Sequence, residues 1–171
     1  MSKKKSIIFM ILIVVIGLVI DLVTKSVFDV VLQGGDKDVV LIPNLLTLAF
    51  IRNDGAAYGM FGGKRWLLVV VTIVFIIGFV LFYIFNFNNS QLFTWAIGLI
   101  LSGAVGNLVD RLFLGGTVRD FISIEIFDFV CNVADILITA GVVCFAIYAL
   151  KDMIKDAKKK KENKTSDTQD K

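Results

Sequence analysis

Four apolar stretches dominate this sequence, and each has the ~20 residues that a helix needs to cross the ~30 Å hydrocarbon core of a membrane. They cover roughly residues 6–28, 66–85, 91–111 and 129–150. Lipid offers no hydrogen-bond partners to the backbone, so a segment that crosses it must be a helix or part of a closed barrel. The stretches therefore predict an all-α integral membrane protein with four transmembrane helices.

The composition supports a single membrane domain. Of the 171 residues, 57% are hydrophobic, whereas soluble domains are about 45–50% apolar. The residues after Leu150 are polar and lysine-rich, which is a composition typical of disorder. The sequence thus predicts a four-helix membrane domain over residues 1–150 and a disordered cytoplasmic tail over residues 151–171.

Lysines at both ends of the chain predict its orientation. Lys3, Lys4 and Lys5 precede the first apolar stretch, and more lysines follow the fourth. Basic residues are retained on the cytoplasmic side of a membrane, and an even number of spans puts both termini on that side. The same lysines suit contact with membrane lipid. No nucleic-acid partner is expected, because no basic face with interleaved aromatic residues occurs.

The first connection on the outer side has the pattern of a small β-element. Two β-prone runs, Val39–Ile42 and Leu45–Ile51, are separated by the turn-forming pair Pro43 and Asn44. Glycines then allow the backbone a wide range of conformations just before the second span, at Gly55, Gly59, Gly62 and Gly63. We expect a small extracytoplasmic β-element between the first and second helices.

Four aspartates lie inside or beside the apolar stretches: Asp21, Asp110, Asp120 and Asp135. A carboxylate at the centre of a membrane helix costs about 2.5–3.5 kcal/mol on insertion scales, so such residues usually have a function. In the predicted topology all of them lie at one level, near the outer surface. The chain has no histidine, which excludes Ser-His-Asp catalysis and H-E-x-x-H zinc chemistry. Carboxylates are therefore the expected acid–base groups if the protein is an enzyme.

Some of these carboxylates have a simple structural interpretation as ion pairs. Asp21 and Lys25 are four residues apart and can pair on one helix face, and Asp110 is followed by Arg111. Asn107 and Asn132 each precede an aspartate by three residues, so each helix carries a polar stripe that must face the bundle. Small residues on the third helix would allow a close approach of its neighbours: Gly103, Ala104 and Gly106.

Asp120 and Asp135 are harder to explain as ion pairs. Asp135 has no cation within a helical turn, and Asp120 lies in the second outer connection, where its neighbour Arg119 need not pair with it. Two carboxylates brought close together share one proton and can activate a water molecule, one as base and one as acid. Such a dyad needs no cofactor, although a magnesium site built from Asp and Asn oxygens is an open alternative.

Five short motifs in this sequence resemble, in order, those of the bacterial lipoprotein signal peptidases, the type II signal peptidases. They are Asp21–Lys25 (D-L-V-T-K), Arg52–Gly59 (R-N-D-G-A-A-Y-G), Gly106–Arg111 (G-N-L-V-D-R), Val118–Phe121 (V-R-D-F) and Asn132–Asp135 (N-V-A-D). The resemblance covers about residues 6–150. It departs from the family pattern at Arg119, Cys131 and Ile136, where a small apolar residue, an aromatic residue and serine are common.

The resemblance implies an aspartyl endopeptidase of the bacterial cell membrane that acts without a metal or another cofactor. Its substrates would be diacylglyceryl-modified prolipoproteins, cut just before the lipidated cysteine, and the cyclic peptide globomycin would inhibit it. Asp120 and Asp135 would be the catalytic dyad, and Asp21 and Lys25 would be structural. Substrate binding or support of the dyad would fall to Asn53, Asn107, Asp110, Arg111 and Asn132.

The main alternative from another class is a small proton-coupled transporter. Such a protein would place its carboxylate near the membrane midplane and would be built from inverted repeats, and the sequence has neither feature. A non-catalytic membrane scaffold would not need several polar clusters at one level.

Overall fold

The computed structural model describes residues 2–32, 38–55, 65–87 and 89–169. Its helices are α1 (Lys3–Leu32), α2 (Arg65–Phe85), α3 (Gln91–Phe113) and α4 (Val133–Gln169). Its strands are β1 (Val39–Ile42), β2 (Leu46–Asn53), β3 (Val118–Ile124) and β4 (Phe129–Cys131). All 4 helices are long and apolar enough to cross a membrane, so the predicted four-span architecture is confirmed.

Helix α3 forms the centre of the bundle. Buried residues make up 67% of its most apolar part, against 22%, 17% and 11% for the corresponding parts of α1, α2 and α4. The other three helices all contact α3, and their outer faces expose large apolar side chains such as Ile16 and Val74. Helices that are apolar all round, with the apolar side chains pointing outward, are typical of membrane spans.

Small residues allow the neighbouring helices to pack closely on α3. A Cβ atom added to Gly103 would collide with the backbone carbonyl of Ala134 in α4, and one added to Gly106 would collide with the carboxylate of Asp21 in α1. Close approach at small residues is how membrane helices gain packing contacts, since lipid removes the hydrophobic drive for association.

An aromatic cluster closes the end of the bundle where α2 passes into α3. Tyr83 and Phe93 stack with their ring centroids 5.4 Å apart, and the Tyr83 hydroxyl lies 3.1 Å from Thr94 Oγ1. The Ser90 hydroxyl accepts a 3.4 Å hydrogen bond from the backbone N–H of Phe93 and so caps α3. Since Tyr83, Phe93 and Thr94 are buried, this end of the bundle is a packed core.

The opposite end carries a 4-stranded antiparallel sheet in the order β1-β2-β3-β4. The predicted β-element between the first two helices is present as β1 and β2, with Asn44 in a left-handed turn between them at φ 58°. The sheet is larger than predicted, because β3 and β4 come from the connection between α3 and α4. Residues 118–124 form a strand by pairing with the distant strand β2 and, over Ile122–Ile124, with β4, so local pattern alone left them as a loop.

Two boundaries differ from the sequence prediction. Helix α4 begins at Val133 and not at Phe129, since Phe129–Cys131 pairs with β3. The same helix continues to Gln169, past Leu150, where the sequence predicts that the fourth span ends. Lysine, glutamate and alanine are good helix formers, and the extension contains neither glycine nor proline to stop the helix. Gly59, Gly62 and Gly63 lie outside the described residues.

The contact between α3 and α4 predicts that Gly103→Ala destabilises the protein. The new methyl group would meet the Ala134 carbonyl, a backbone atom that cannot rotate away, and overpacking of this kind costs typically 1–3 kcal/mol. Gly78→Ala in α2 is the matched control, because a Cβ there has nothing within 4 Å. Thermal unfolding in detergent should show a lower midpoint for Gly103→Ala only, and equal midpoints would contradict this packing.

Candidate active site

The sheet and the bundle enclose a cavity of about 180 Å³ between them. Both aspartates of the predicted dyad line it, Asp120 from β3 and Asp135 from the first turn of α4. The remaining lining residues come from β2, α3, β3, β4 and α4: Asn53, Gly55, Asn107, Arg111, Val118, Phe129, Val130, Ile138 and Thr139. The fold thus brings together residues that are up to 86 positions apart in the sequence.

Asp120 is held by two asparagine side chains. It is only 2% exposed, and it accepts hydrogen bonds from Asn53 Nδ2 at 2.9 Å and from Asn132 Nδ2 at 2.6 Å. Burial raises the pKa of Asp120 to about 6, and the charge of Asp135 acts in the same direction. The two amide hydrogen bonds and the positive charge of Lys25 limit that rise in pKa.

Asp135 is fixed by the local structure at the start of α4. The Asn132 side-chain oxygen accepts from the backbone N–H of Asp135, and Asp135 Oδ2 accepts from the backbone N–H of Asn132, both at 3.1 Å. This reciprocal pair is a capping box, which satisfies two backbone donors at a helix N-terminus. The second carboxylate oxygen of Asp135 accepts from Asn107 Nδ2 at 2.8 Å. Both oxygens of Asp135 are therefore held in defined directions.

Asn107 connects the polar groups of three helices. Its side-chain oxygen accepts from Lys25 Nζ at 2.9 Å and from Asn132 Nδ2 at 3.2 Å. Since both of those partners are donors, the amide must turn its own NH₂ group toward Asp135. The orientation of Asn107 is thus determined by its neighbours in α1 and next to α4.

The predicted pair of Asp21 and Lys25 is present, and it is fully buried. Lys25 Nζ lies 2.8 Å from Asp21 Oδ2, with both side chains 0% exposed. Asp21 Oδ1 also accepts a 2.8 Å hydrogen bond from the backbone N–H of Ala134, in the first turn of α4. The pair therefore links α1 to the α4 terminus that carries Asp135.

The prediction that Asp110 forms an ion pair with Arg111 was wrong. Successive residues on a helix point about 100° apart and do not face each other. Asp110 pairs instead with Arg119, 2.7 Å away, and with Lys25, 3.6 Å away. Arg111 points into the cavity and donates to the backbone carbonyls of Gly55 at 3.3 Å and Asn107 at 3.5 Å.

Sequence reasoning missed the role of Arg119 in this network. The signal available in the sequence was the alternation of side-chain directions along a strand, since adjacent residues of β3 point to opposite sides of the sheet. Arg119 therefore points away from Asp120 and toward α1 and α3, and its hydrogen bond to Asp110 raises the pKa of its guanidinium.

The neighbouring thiol is a poor nucleophile. Burial raises the pKa of Cys131 to about 11, and the charges of Asp135 and Asp120 add to that rise. Cys131 and Cys144 are both free thiols. As for metal ligands, no three His, Cys, Asp or Glu side chains come together within the described part of the chain.

Two further cavities lie along the bundle, and Asp135, but not Asp120, lines the first of them. The first, about 260 Å³, shares Asn107, Arg111, Asp135 and Ile138 with the site and extends to Phe75 in α2. The second, about 400 Å³, begins at Phe75 and is lined by apolar residues of α2 and by Phe145 of α4. Together they form an apolar groove between α2 and α4 that starts at the polar site.

These features define a polytopic membrane protein with a pair of carboxylates, one buried and one half-buried, in a cavity at one end of its bundle. A family model described as signal peptidase (SPase) II matches residues 13–151. The lipoprotein signal peptidase of Staphylococcus haemolyticus (strain JCSC1435) is 39% identical over 155 residues, covering 89% of this chain and 97% of that protein. The enzyme of the same name from Staphylococcus aureus (strain JH9) is 38% identical over 167 residues, covering 96% of this chain and 100% of that protein.

The architecture is also similar to solved structures described as a bacterial membrane enzyme. One, determined by the in meso method at 2.3 Å resolution, has a TM-score of 0.76 and 37% identity, with 85% of this chain and 89% of that chain covered. This chain belongs to the signal peptidase II family, so it is a multi-pass bacterial membrane peptidase. No observation favours the transporter alternative.

The contacts of Asp120 predict the effect of Asn53→Ala on pH dependence. The Asn53 amide stabilises the ionised carboxylate, so its loss should raise the pKa of Asp120 above its value of about 6. The pH–rate profile should therefore move to higher pH, measured on cleavage of a lipid-modified substrate. Asn89→Ala, at an exposed position between α2 and α3, is the control. A profile that stays in place or moves to lower pH would contradict the assignment.

Proposed function

We propose that this protein is an aspartic endopeptidase that removes signal peptides from diacylglyceryl-modified prolipoproteins, cutting just before the lipidated cysteine. The observation that carries the proposal is the pair of carboxylates, Asp120 and Asp135, held by asparagine amides in one cavity. Membership of the signal peptidase II family supports the same substrate class. Peptide hydrolysis by such a pair follows from ordinary acid–base chemistry.

The two carboxylates act as one unit that shares a single proton. The ionised partner takes a proton from a water molecule as the water attacks the scissile carbonyl, and the protonated partner gives its proton to the carbonyl oxygen. As the tetrahedral intermediate collapses and the C–N bond breaks, the first partner passes the water-derived proton to the leaving amine, and the second takes its proton back from the hydroxyl that becomes the new carboxyl group. A carboxyl group with a pKa near 6, such as Asp120, is suited to carry the shared proton near neutral pH.

The asparagines have a supporting role in this mechanism. Asn53 and Asn132 orient Asp120, while Asn107 and Asn132 orient Asp135. Holding reacting groups in position can supply a large part of a rate enhancement, because the entropy lost in ordering those groups has already been lost before the chemical step. Arg111 lines the same cavity and offers a positive charge to the substrate backbone or to its ester groups.

The apolar groove between α2 and α4 fits the remainder of the substrate. A signal peptide is a short apolar helix, and the groove runs from Asp135 through Phe75 to Phe145. The substrate's diacylglyceryl group is anchored in the membrane, so the scissile bond lies at the surface where the sheet meets the bundle. The proposed partners are thus lipid-modified prolipoproteins and membrane lipid, with globomycin as the expected inhibitor.

The proposed orientation puts both termini in the cytoplasm and the carboxylates near the outer face. Lys3 to Lys5 precede α1, and Lys151 to Lys160 lie at the far end of α4 from Asp135. At 1.5 Å per residue, the ~25 residues from Asp135 to Lys160 span about 38 Å, which approaches the full thickness of a bilayer with its headgroups. The lysines and the site therefore lie on opposite sides of the membrane.

The proposed dyad predicts that Asp120→Asn and Asp135→Asn each abolish cleavage while the protein still folds. Asparagine keeps the volume of aspartate but cannot ionise or hold the shared proton. The assay incubates detergent-solubilised enzyme with a diacylglyceryl-modified prolipoprotein and measures cleavage before the lipidated cysteine. Asp128→Asn is the matched control, because Asp128 is exposed in the turn just before β4 and its left-handed backbone, φ 46°, tolerates asparagine.

Retention of near wild-type turnover by either dyad variant would overturn the assignment. The same assay with a chelator tests the magnesium alternative. The dyad mechanism requires full activity in the chelator, and loss of activity that added Mg²⁺ restores would favour a metal site built on the same oxygens.

The orientation predicts opposite labelling of two engineered cysteines in intact cells. Ile126→Cys lies in the turn beyond β3, where Ile126 is 65% exposed, and Asn89→Cys lies between α2 and α3 at the other end of the bundle. In a background without Cys131 and Cys144, a membrane-impermeant thiol reagent should label the first before permeabilisation and the second only after it. The reverse pattern would put the carboxylates at the cytoplasmic face.

A further inference from the structure

Arg119 forms a dense set of contacts directly behind the proposed dyad. Its Nη2 lies 2.7 Å from Asp110 Oδ1, and its Nε lies 3.3 Å from Asp110 Oδ2. The backbone N–H of Arg119 also donates to Asp110 Oδ2, at 3.0 Å. A planar guanidinium that binds both oxygens of a carboxylate restricts orientation as well as distance. Arg119 therefore joins β3 to the end of α3 in a defined geometry.

The same side chain reaches α1. Arg119 Nη1 lies 3.4 Å from Ser26 Oγ and 3.6 Å from Asp29 Oδ2, and its side chain is 13% exposed. Strand β3 is thus attached to two transmembrane helices at the residue immediately before Asp120. Because neighbouring residues of a strand point in opposite directions, these contacts on one side of β3 direct Asp120 to the cavity on the other side.

A second route leads from Arg119 to Asp135. Lys25 Nζ is 2.8 Å from Asp21 and 3.6 Å from Asp110, and it donates at 2.9 Å to the side-chain oxygen of Asn107. Since Arg119 already occupies both oxygens of Asp110, the ammonium of Lys25 can donate to Asn107. That hydrogen bond leaves the Asn107 NH₂ group to donate to Asp135.

We propose that Arg119 is a positioning residue for the peptidase reaction, which orients Asp120 through the backbone of β3 and Asp135 through Asp110, Lys25 and Asn107. The proposal rests on the proposed dyad of Asp120 and Asp135. Arg119 is not among the residues that line the cavity, so it acts through other groups and not on the substrate.

The charge of Arg119 also matters for the titration of the dyad. The charged groups that face Asp120 are Asp135 from α4, Arg111 from α3 and Lys25 from α1. Lys25 lowers the pKa of Asp120. If Arg119 loses its charge, Asp110 becomes an anion whose only close cation is Lys25, among the ion pairs of the described residues. Lys25 then moves toward Asp110, and the pKa of Asp120 rises.

The test compares Arg119→Gln with Arg119→Lys. Gln removes both the charge and the two-pronged hydrogen bonding of the guanidinium to Asp110. It should therefore lower kcat about 10-fold to 100-fold, the size expected for a small displacement of reacting groups, with little change in KM. The pH–rate profile of Arg119→Gln should also move to higher pH. Lys keeps the charge but cannot bind both oxygens of Asp110 with a planar group. The pH profile of Arg119→Lys should therefore match wild type, while its kcat is only partly restored.

Arg52→Gln is the matched control. Arg52 is directly opposite Arg119 on β2, is exposed, and has its guanidinium 5.6 Å from the centre of the Phe50 ring. The substitution makes the same change in charge on the same sheet without touching the network. It should leave kcat and the pH profile at wild-type values, and a loss equal to that of Arg119→Gln would overturn the proposal.

A further variant keeps the test decisive if Arg119→Gln folds poorly. Asp110 is 1% exposed, and an unpaired buried carboxylate is strongly destabilising. Arg119→Gln combined with Asp110→Asn removes both charges and should fold better than Arg119→Gln alone, but with kcat still reduced because β3 is no longer held. Wild-type kcat and an unmoved pH profile, per folded molecule, in Arg119→Gln or in the double variant would overturn the positioning role.

The outcomes also separate this proposal from the assignment of the dyad. Activity retained by Asp120→Asn or Asp135→Asn would defeat the dyad itself and the positioning role with it. Inactive dyad variants together with an unaffected Arg119→Gln enzyme would defeat the positioning role alone.

Discussion

Buried carboxylates need hydrogen-bond donors, and this requirement organises the end of the bundle that carries the sheet. Asp21, Asp110 and Asp120 are each at most 2% exposed, and an ionised group with no partner in such surroundings would be very costly. Each of them accepts hydrogen bonds from a different element of the fold. The donors therefore determine how α1, α3, α4 and the sheet fit together.

The proposed chemistry uses the same network that holds the elements in place. Asn132 donates to the buried carboxylate of Asp120 and to Asn107, and Asn107 donates to Asp135, so the two asparagines also direct the oxygens of the dyad. Fully connected polar networks of this kind are rigid, because each member loses a partner if any other one moves. The site also lies on helix ends and strands, and such elements hold reacting groups more firmly than loops do.

The membrane explains the contrast between the two ends of the bundle. Where α2 meets α3, the core is aromatic, around Tyr83 and Phe93, and the outer faces of the helices expose apolar side chains. An apolar groove joins these surroundings to the polar cavity at Asp135. A substrate with an apolar helix and a hydrolysable bond beside it would meet both environments at once.

The amino-acid sequence by itself determined the spans and the pair of Asp21 and Lys25, because hydropathy and helical spacing are local properties. It predicted the candidate site residues through the resemblance of its five motifs to those of the signal peptidase II family. Only the tertiary structure decided that Asp110 pairs with Arg119 and not with Arg111, and that residues 118–124 form a strand. Both depend on segments that are distant in the sequence: β3 becomes a strand by pairing with β2, and that pairing turns Arg119 toward Asp110. Asn53 meets Asp120 for the same reason, since neighbouring strands bring together side chains that no local pattern connects.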